Sequence, residues 1–431
     1  MFSYTKKFKR IETVKLISYN PIFFWENNKT NEIISGVGCI EKIELFNAFE
    51  LDLIKDEIVN KITHITNLTP DVPIYPKFLG GHAFNIKRNS KDDWENFPRG
   101  YFILPEYIIT SNNKSTYITL INKSQRHLQQ YINSINDFYE QLINQEPIKE
   151  HPTEIIHIDN ESNKLNYFDI FNRALEQINS GFIKKIVLSK TKKIKINEQF
   201  NFSYFMQQLR KSHPKCINFY IKFSNEQLFF GSTPERLINK DQKKIKSEAI
   251  AGTIKRGATV NDDIKLEKKL SADLKNLGEH QLVVEKIKNI LKPKLEYINI
   301  SNKPKVLKLK NVQHLITNIT GELKNNIHIL DLVKIMHPTP AVSGSPVKKA
   351  IDLIEKYELH DRGWYAGPIG WIDSKGDGDF CVSLRSAIIK NTHIQLFSGG
   401  GIVSDSNVND EWNETEIKMD SILTILKQMN R

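Results

Sequence analysis

Near the end of the chain, two carboxylates and an amine share one face of a predicted helix. Glu411, Glu414 and Lys418 are spaced at i, i+3 and i+7, which places them on a single stripe of an α-helix. The same stripe continues through Ile422 and Ile425, which should be buried. Because buried charges must pair or hold a metal ion, this stripe is either a salt-bridged helix start or part of a binding site.

The residues just before this helix favour a binding site. Gly399, Gly400 and Gly401 follow a predicted strand at 393–398. A run of three glycines lets the backbone approach a ligand closely and offers bare N–H groups to a carboxylate or phosphate. Arg385, on the strand before, adds a cation.

Further upstream, a lysine and a glutamate lie beside predicted strands. Lys185 begins the strand KIVLSK. It is either an edge lysine that keeps the strand soluble or a partly desolvated amine with a lowered pKa, able to act as a general base. Glu235 follows the turn in GSTPERL, where an ordinary turn carboxylate would cap a backbone N–H.

A third glutamate lies on a long predicted helical region, 263–291. Glu279 precedes Val283 by four residues and therefore shares its buried face. An unpaired buried glutamate is costly, and a divalent cation shared with Glu414 would neutralise both carboxylates. The alternative is an ion pair with a lysine at the helix surface.

Four other polar or flexible residues are weaker signals. Gly252 and Thr253 offer backbone and hydroxyl donors suited to an oxyanion, although an ordinary turn would use the same two residues. His314 in VQHL says little by itself. Tyr365 lies in a glycine-flanked turn from which its hydroxyl could reach a ligand.

The elements that must position these residues divide the chain unevenly. Residues 1–150 predict mixed strands and helices without a chemical signature, including an amphipathic helix at 124–145. The polar segment 146–164 contains Pro147 and Pro152 and predicts a linker. Residues 165–431 hold every candidate functional residue. We expect one structural domain in which the N-terminal half packs on the core.

Composition excludes several classes of protein. No apolar run is long enough to cross a membrane, and no apolar signal core follows the basic N-terminus. The three cysteines are far apart, which predicts reduced thiols and a cytoplasmic protein. The net charge is 61 − 50 = +11, but the lysines form no basic block with interleaved aromatics, so we expect no nucleic-acid partner. A small anionic substrate remains open.

Ten segments in roughly the last 265 residues resemble the chorismate-utilising enzymes, and most closely the isochorismate synthases. In chain order they are KIVLSK, GSTPERL, AIAGT, GEHQLVV, VQHL, HPTPAVSG, WYAGPIGW, FCVSLRSA, FSGGGIV and EWNETEIK. Such a series is far more specific than any single motif. The resemblance implies an α+β fold, a single large domain of antiparallel sheets packed face to face with helices outside.

The resemblance also implies a substrate and a cofactor. Chorismate carries two carboxylates, and Mg²⁺ held by Glu279 and Glu414 would bind the ring carboxylate, with Glu411 holding a metal-bound water. The second carboxylate would lie against Arg385, Tyr365 and the N–H groups of the glycine run. The other substrate-binding residues that the resemblance implies are Gly252, Thr253, His314, Ala341 and Lys418.

The implied reaction assigns opposite roles to two residues. Lys185 would take a proton from water as it attacks ring C2, and Glu235 on the other face would protonate the departing C4 hydroxyl. This requires a neutral lysine and a protonated glutamate, and burial shifts both pKa values in the required direction.

The subtype within the family depends on two positions. Ammonia-using relatives carry glutamine at the place of Lys185, and relatives that eliminate pyruvate tend to have threonine at the place of Ala341. The sequence therefore predicts a synthase that stops at isochorismate, with a salicylate synthase as the alternative. A non-catalytic, anion-binding relative would be expected to have lost one of the catalytic or metal-binding residues, and none is lost. We expect a monomer serving menaquinone biosynthesis, with siderophore biosynthesis as the alternative pathway.

Overall fold

The computed structural model of the chain describes residues 1–87, 92–146, 148, 154–159, 164–198, 200–224 and 226–430. Within these ranges the α-helices are α1 (Thr13–Ser18), α2 (Leu51–Thr63), α3 (Leu128–Ile143), α4 (Lys164–Asn179), α5 (Phe202–Ser212), α6 (Val260–Ala272), α7 (Leu274–Leu291), α8 (Ile329–Met336), α9 (Val347–Tyr357) and α10 (Val408–Met429). Short 3₁₀ segments occur at Asp92–Trp94 and Lys292–Lys294.

The strands, in chain order, are β1 (Phe2–Lys9), β2 (Phe23–Asn27), β3 (Glu32–Val37), β4 (Glu41–Leu45), β5 (Thr66–Asn67), β6 (Lys77–His82), β7 (Gly100–Leu104), β8 (Tyr107–Ser111), β9 (Ser115–Asn122), β10 (Ile155–Ile158), β11 (Lys185–Ile196), β12 (Ile217–Lys222), β13 (Gln227–Thr233), β14 (Arg236–Asp241), β15 (Lys244–Lys255), β16 (Leu295–Ile300), β17 (Lys305–Lys308), β18 (Val312–Leu323), β19 (Gly344–Ser345), β20 (Pro368–Asp373), β21 (Gly378–Val382), β22 (Ser386–Lys390) and β23 (His393–Ile402).

These strands form two large sheets. The first has the order β10-β11-β23-β22-β13-β12-β2-β3-β8-β9-β1-β5, with β19 paired to β11. The second has the order β16-β18-β15-β14-β21-β20-β6-β7-β4, with β17 paired to β18. The long pairs that build both sheets are antiparallel, and the short pair of β1 with β5 is parallel. The α+β fold class predicted from the resemblance is therefore confirmed.

The main core lies between the two sheets. Phe23 and Trp25 of β2 enter it from the first sheet, and Phe78 of β6 and Ile369 of β20 enter it from the second. A second cluster covers the outer face of the first sheet with helices α1, α3, α5 and α10. Alternate side chains of a strand point to opposite faces of its sheet, and both faces of the first sheet bury apolar side chains. Helices therefore pack on the outside of this sheet.

The N-terminal and C-terminal halves are interleaved in both sheets. Strand β2 pairs with β12 in the first sheet, and β6 pairs with β20 in the second. Of the predicted linker, residues 147, 149–153 and 160–163 lie outside the described residues, and Ile155–Ile158 forms β10, which pairs with β11. Within the described ranges, none of the helices combines the length and apolarity needed to span a bilayer.

Two predicted elements differ from the observed ones. The helical region 263–291 is two helices, because the Asp273 carboxylate accepts a hydrogen bond from the Asn276 N–H at 2.8 Å and starts α7 afresh. The strand predicted to end at Ser398 continues through the glycines to Ile402, paired with β11. The glycine run is therefore part of a sheet and not a loop.

Candidate active site

A cavity of about 250 Å³ lies where β15, β18 and β23 meet the first turns of α7 and α10. Most of the residues singled out in the sequence line it, although they come from segments far apart in the chain. Those that line it are Glu235, Gly252, Thr253, Glu279, His314, Ala341, Tyr365, Arg385, Gly399, Gly401, Glu411, Glu414 and Lys418. The other two predicted residues do not line it: Lys185 is hydrogen-bonded to the lining residue Glu279, and Gly400 lies beside the lining residue Glu411.

Lys185 is buried at the start of β11, with 1% of its surface exposed. It pairs with Ser345 of β19 inside the first sheet, so the edge-lysine interpretation is wrong. Its Nζ donates a hydrogen bond to Glu279 Oε1 at 2.7 Å. Glu279 does pair with a lysine, as one interpretation of the sequence expected, but the partner is buried and not at the helix surface.

Glu235 lies between β13 and β14 and is 2% exposed. Its carboxyl oxygens have no hydrogen-bond partner among the described residues, so it is not a simple turn cap. Burial raises the pKa of Glu235 to about 8, against the opposing influence of the Lys185 ammonium. At neutral pH this side chain is therefore a protonated acid that faces the cavity.

Three carboxylates converge on the side of the cavity formed by α7 and α10. Glu414 Oε1 forms an ion pair with Lys418 Nζ at 2.7 Å, one turn along α10. Glu411 Oε1 accepts one from Ser406 Oγ at 2.8 Å and lies 3.5 Å from Lys275 Nζ. Burial, followed by the negative charge of Glu414, raises the pKa of Glu411 to about 7. Each of the three carboxyl groups in this corner therefore lies beside a lysine amine.

The donor set of this corner fits a hard divalent cation. Mg²⁺ binds through one or two carboxylates and completes its shell with water and substrate oxygens, so Glu279 and Glu414 are sufficient protein ligands. In the structure both carboxylates are held by lysine ammonium groups. Among the described residues, no three acidic, histidine or cysteine side chains are already arranged as a ligand set. In this structure the charges of both carboxylates are thus balanced by lysines.

Arg385 is a buried guanidinium without an ion partner among the described residues. It is 8% exposed and lies between β21 and β22, in a left-handed backbone conformation with φ of 47°, and not within a strand as the sequence predicted. Its Nη2 donates to His314 Nε2 at 2.8 Å. A buried, unpaired cation is costly unless it receives an anion, so Arg385 is a strong candidate for binding a carboxylate.

The tautomer of His314 determines which of the groups around it donate hydrogen bonds and which accept them. Burial and the Arg385 charge hold the pKa of His314 well below its ordinary value, so the ring is neutral. Since Nε2 accepts from Arg385, the ring proton is on Nδ1, which lies 3.1 Å from Thr253 Oγ1. When Thr253 Oγ1 accepts a hydrogen bond from this N–H, its own hydroxyl proton is free to donate to a ligand in the cavity.

The glycine run makes room for the charged side chains. A Cβ on Gly401 would lie 2.7 Å from Glu279 Oε1 and 3.0 Å from Lys185 Cε. A Cβ on Gly399 would lie 2.9 Å from Tyr365 Oη. From the sequence we expected these glycines to present N–H groups. In the structure these glycines allow neighbouring side chains to approach the backbone closely.

The chain matches the family described as "Chorismate binding enzyme" over residues 1–427. It belongs to that family. The family membership that ten short segments predicted is thereby confirmed. The match also includes the N-terminal half of the chain, which carried no chemical signature.

Several relatives within the family are isochorismate synthases. "Isochorismate synthase MenF" of Bacillus subtilis is 28% identical and covers 99% of this chain and 93% of the relative. The protein of the same name from Haemophilus influenzae is 32% identical over 76% of this chain and 75% of the relative. The solved structure of MenF, described as the menaquinone-specific isochorismate synthase from Escherichia coli, is similar with a TM-score of 0.82 and 25% identity, covering 98% of this chain and 94% of that one.

Asn276 and Lys275 are two of the cavity-lining residues that we did not single out in the sequence. Asn276 Oδ1 accepts a hydrogen bond from the Thr253 N–H at 2.9 Å and so ties β15 to α7. Lys275 is the cation closest to Glu411. Both lie within four residues of Glu279, on the first turn of α7, and a prediction that this helix starts at Asp273 would have directed attention to them.

Proposed function

We propose that this protein is an isochorismate synthase that converts chorismate to isochorismate with Mg²⁺ as its cofactor. The observation that supports the proposal is that the protonated acid Glu235 lines the cavity and that the buried amine of Lys185 is hydrogen-bonded to Glu279, another residue that lines it. Water addition with loss of a hydroxyl needs both a base and an acid. The names of the relatives from B. subtilis, H. influenzae and E. coli support the same reaction.

Substrate binding would use charges that are unpaired or exchangeable in the structure. Arg385 would take the enolpyruvyl carboxylate, with the Tyr365 hydroxyl as a second donor. Burial raises the pKa of Tyr365, so this hydroxyl keeps its proton. Mg²⁺ held by Glu279 and Glu414 would neutralise the ring carboxylate when bound. The Thr253 hydroxyl would donate a further hydrogen bond.

The reaction conserves atoms and protons. A water oxygen bonds to ring C2 while Lys185 takes its proton, the ring double bonds shift, and the C4–O bond breaks. Glu235 gives its proton to the departing hydroxyl, which leaves as water. In the structure Lys185 Nζ donates a hydrogen bond to Glu279 Oε1 at 2.7 Å, which fixes the position of the amine.

The pathway assignment is the finer part of the proposal. We infer that the product serves menaquinone biosynthesis, because a relative described as menaquinone-specific covers 98% of the chain. A relative described as "Salicylate biosynthesis isochorismate synthase" from Pseudomonas aeruginosa is 38% identical, but it covers only 58% of the chain. The two relatives named MenF match by sequence over 99% and 76% of the chain, which supports the menaquinone branch.

A chromatographic product assay tests the activity. Purified protein with chorismate and Mg²⁺ is expected to form isochorismate without releasing pyruvate, because Ala341 lines the cavity where pyruvate-eliminating relatives tend to have threonine. Addition of EDTA should stop the reaction, and excess Mg²⁺ should restore it. Salicylate with pyruvate would identify a salicylate synthase, and an amine product that requires ammonia would overturn the proposal.

A further inference from the structure

The hydroxyl group of Tyr167 is buried without a hydrogen-bond partner among the described residues. Tyr167 lies on α4 and is 2% exposed. Its ring meets the Trp412 ring edge to face, with centroids 5.4 Å apart, so the orientation of the phenol is fixed. A buried hydroxyl that makes no hydrogen bond costs free energy, and its presence needs an explanation.

The unpartnered oxygen lies beside the acidic corner of the cavity. The space left by the missing side chain of Gly400 is bounded by Glu411 Oε2 and Tyr167 Oη, which lie 3.1 and 3.5 Å from the position a Cβ would take. The pKa of Tyr167 is raised by burial and next by the charges of Glu411 and Glu414. The phenol therefore keeps its proton. It lies close to Glu411, whose carboxylate would hold a metal-bound water.

We propose that Tyr167 is a positioning residue for Glu411, to whose Oε2 its hydroxyl donates a hydrogen bond, directly or through one water, when a divalent cation is bound. Ser406 already donates to Oε1, so Tyr167 would fix the second oxygen and complete the orientation of the carboxylate. Partners of this kind typically affect metal affinity about 10- to 100-fold. The inference rests on the proposed function, since it assumes a cation in this corner.

The test is a Mg²⁺ titration by isothermal calorimetry in the presence of chorismate. The full-length Glu235→Gln variant is used as the background, because the substrate then stays unreacted. Tyr167→Phe is added to this background and removes only the hydroxyl. Tyr220→Phe, another fully buried tyrosine located in the second core cluster, is the matched control.

Tyr167→Phe is expected to weaken Mg²⁺ binding about 10-fold, while Tyr220→Phe leaves it unchanged. The melting temperature of metal-free Tyr167→Phe should equal or exceed that of the background, because an unsatisfied hydroxyl is removed. A merely structural role would lower it. Equal Mg²⁺ affinity with and without Tyr167→Phe overturns this inference alone. If the background itself binds no Mg²⁺, the metal part of the proposed function fails and the inference falls with it.

Discussion

At the scale of single residues, Glu235 combines burial with a role that needs a proton. Burial raises the pKa of Glu235 from 4.5 to about 8. Below pH 4.5 the folded and unfolded chains both carry the proton. Between pH 4.5 and 8 the unfolded chain releases it and the folded chain keeps it, so stability falls as the pH rises through this window. The folded protein therefore keeps Glu235 protonated for its role as an acid, and this lowers the free energy of unfolding in that pH window.

Replacing Glu235 by glutamine should therefore stabilise the protein in a pH-dependent way. The gain in free energy of unfolding is expected to be on the order of 4 kcal/mol at pH 7.5 and about 1.4 kcal/mol at pH 5.5. Urea unfolding at the two pH values measures it. A gain that is the same at both pH values would show that Glu235 is ionised in the folded protein.

Removal of the acid or the base should stop the reaction without unfolding the chain. Lys185→Ala and Glu235→Ala are each expected to lower turnover by about 100-fold or more, with circular dichroism spectra like those of the wild type. Lys192→Ala, further along β11 where its amine pairs with Glu416, is a control that should retain activity. Near-normal turnover in either variant would remove that residue from the mechanism.

At the scale of elements, the acidic corner depends on how closely β23 approaches α7. Gly401 of β23 faces Glu279 and Lys185, which occupy the space that a side chain would need. Gly278, one residue before Glu279 on α7, is exposed, and a Cβ there would meet nothing within 4 Å. The two glycines therefore offer a matched comparison around the same carboxylate.

Gly401→Ala is expected to reduce kcat/KM about 100-fold, because the added methyl group displaces Glu279 and Lys185 from their positions. Gly278→Ala should keep the activity and raise the free energy of unfolding by about 0.5–1 kcal/mol, as a helical glycine replaced by alanine does. Steady-state kinetics and urea unfolding of both variants measure these effects. Equal activity of the two variants would contradict the close-packing argument.

At the scale of the whole molecule, the C-terminal half, which carries the predicted site residues, does not supply all the strands of the two sheets. Strand β12 needs β2, and β20 needs β6, and both partners come from the first 100 residues. Because the two halves share both sheets, the family match includes the N-terminal half, although that half has no chemical signature. The N-terminal half completes the core beneath the cavity.

A fragment of residues 165–431 is accordingly expected not to fold alone, although it contains every predicted site residue. It would expose the edges of β12 and β20 and the core face that β2 and β6 cover. Near-ultraviolet circular dichroism of the fragment, with the full chain as the control, measures this. A cooperative thermal transition in the isolated fragment would contradict the prediction.

The sequence by itself determined the family, the fold class and a set of residues that converge on one cavity. It could do so because the spacing on α10 and the order of ten segments are local features of the chain. It could not determine that the glycine run is a strand or that Arg385 is unpaired. Nor could it reveal that Lys185 holds Glu279, although the spacing on α10 did allow the ion pair of Glu414 with Lys418. These depend on which distant segments meet, and the energy of a buried charge is set by the groups that surround it in three dimensions.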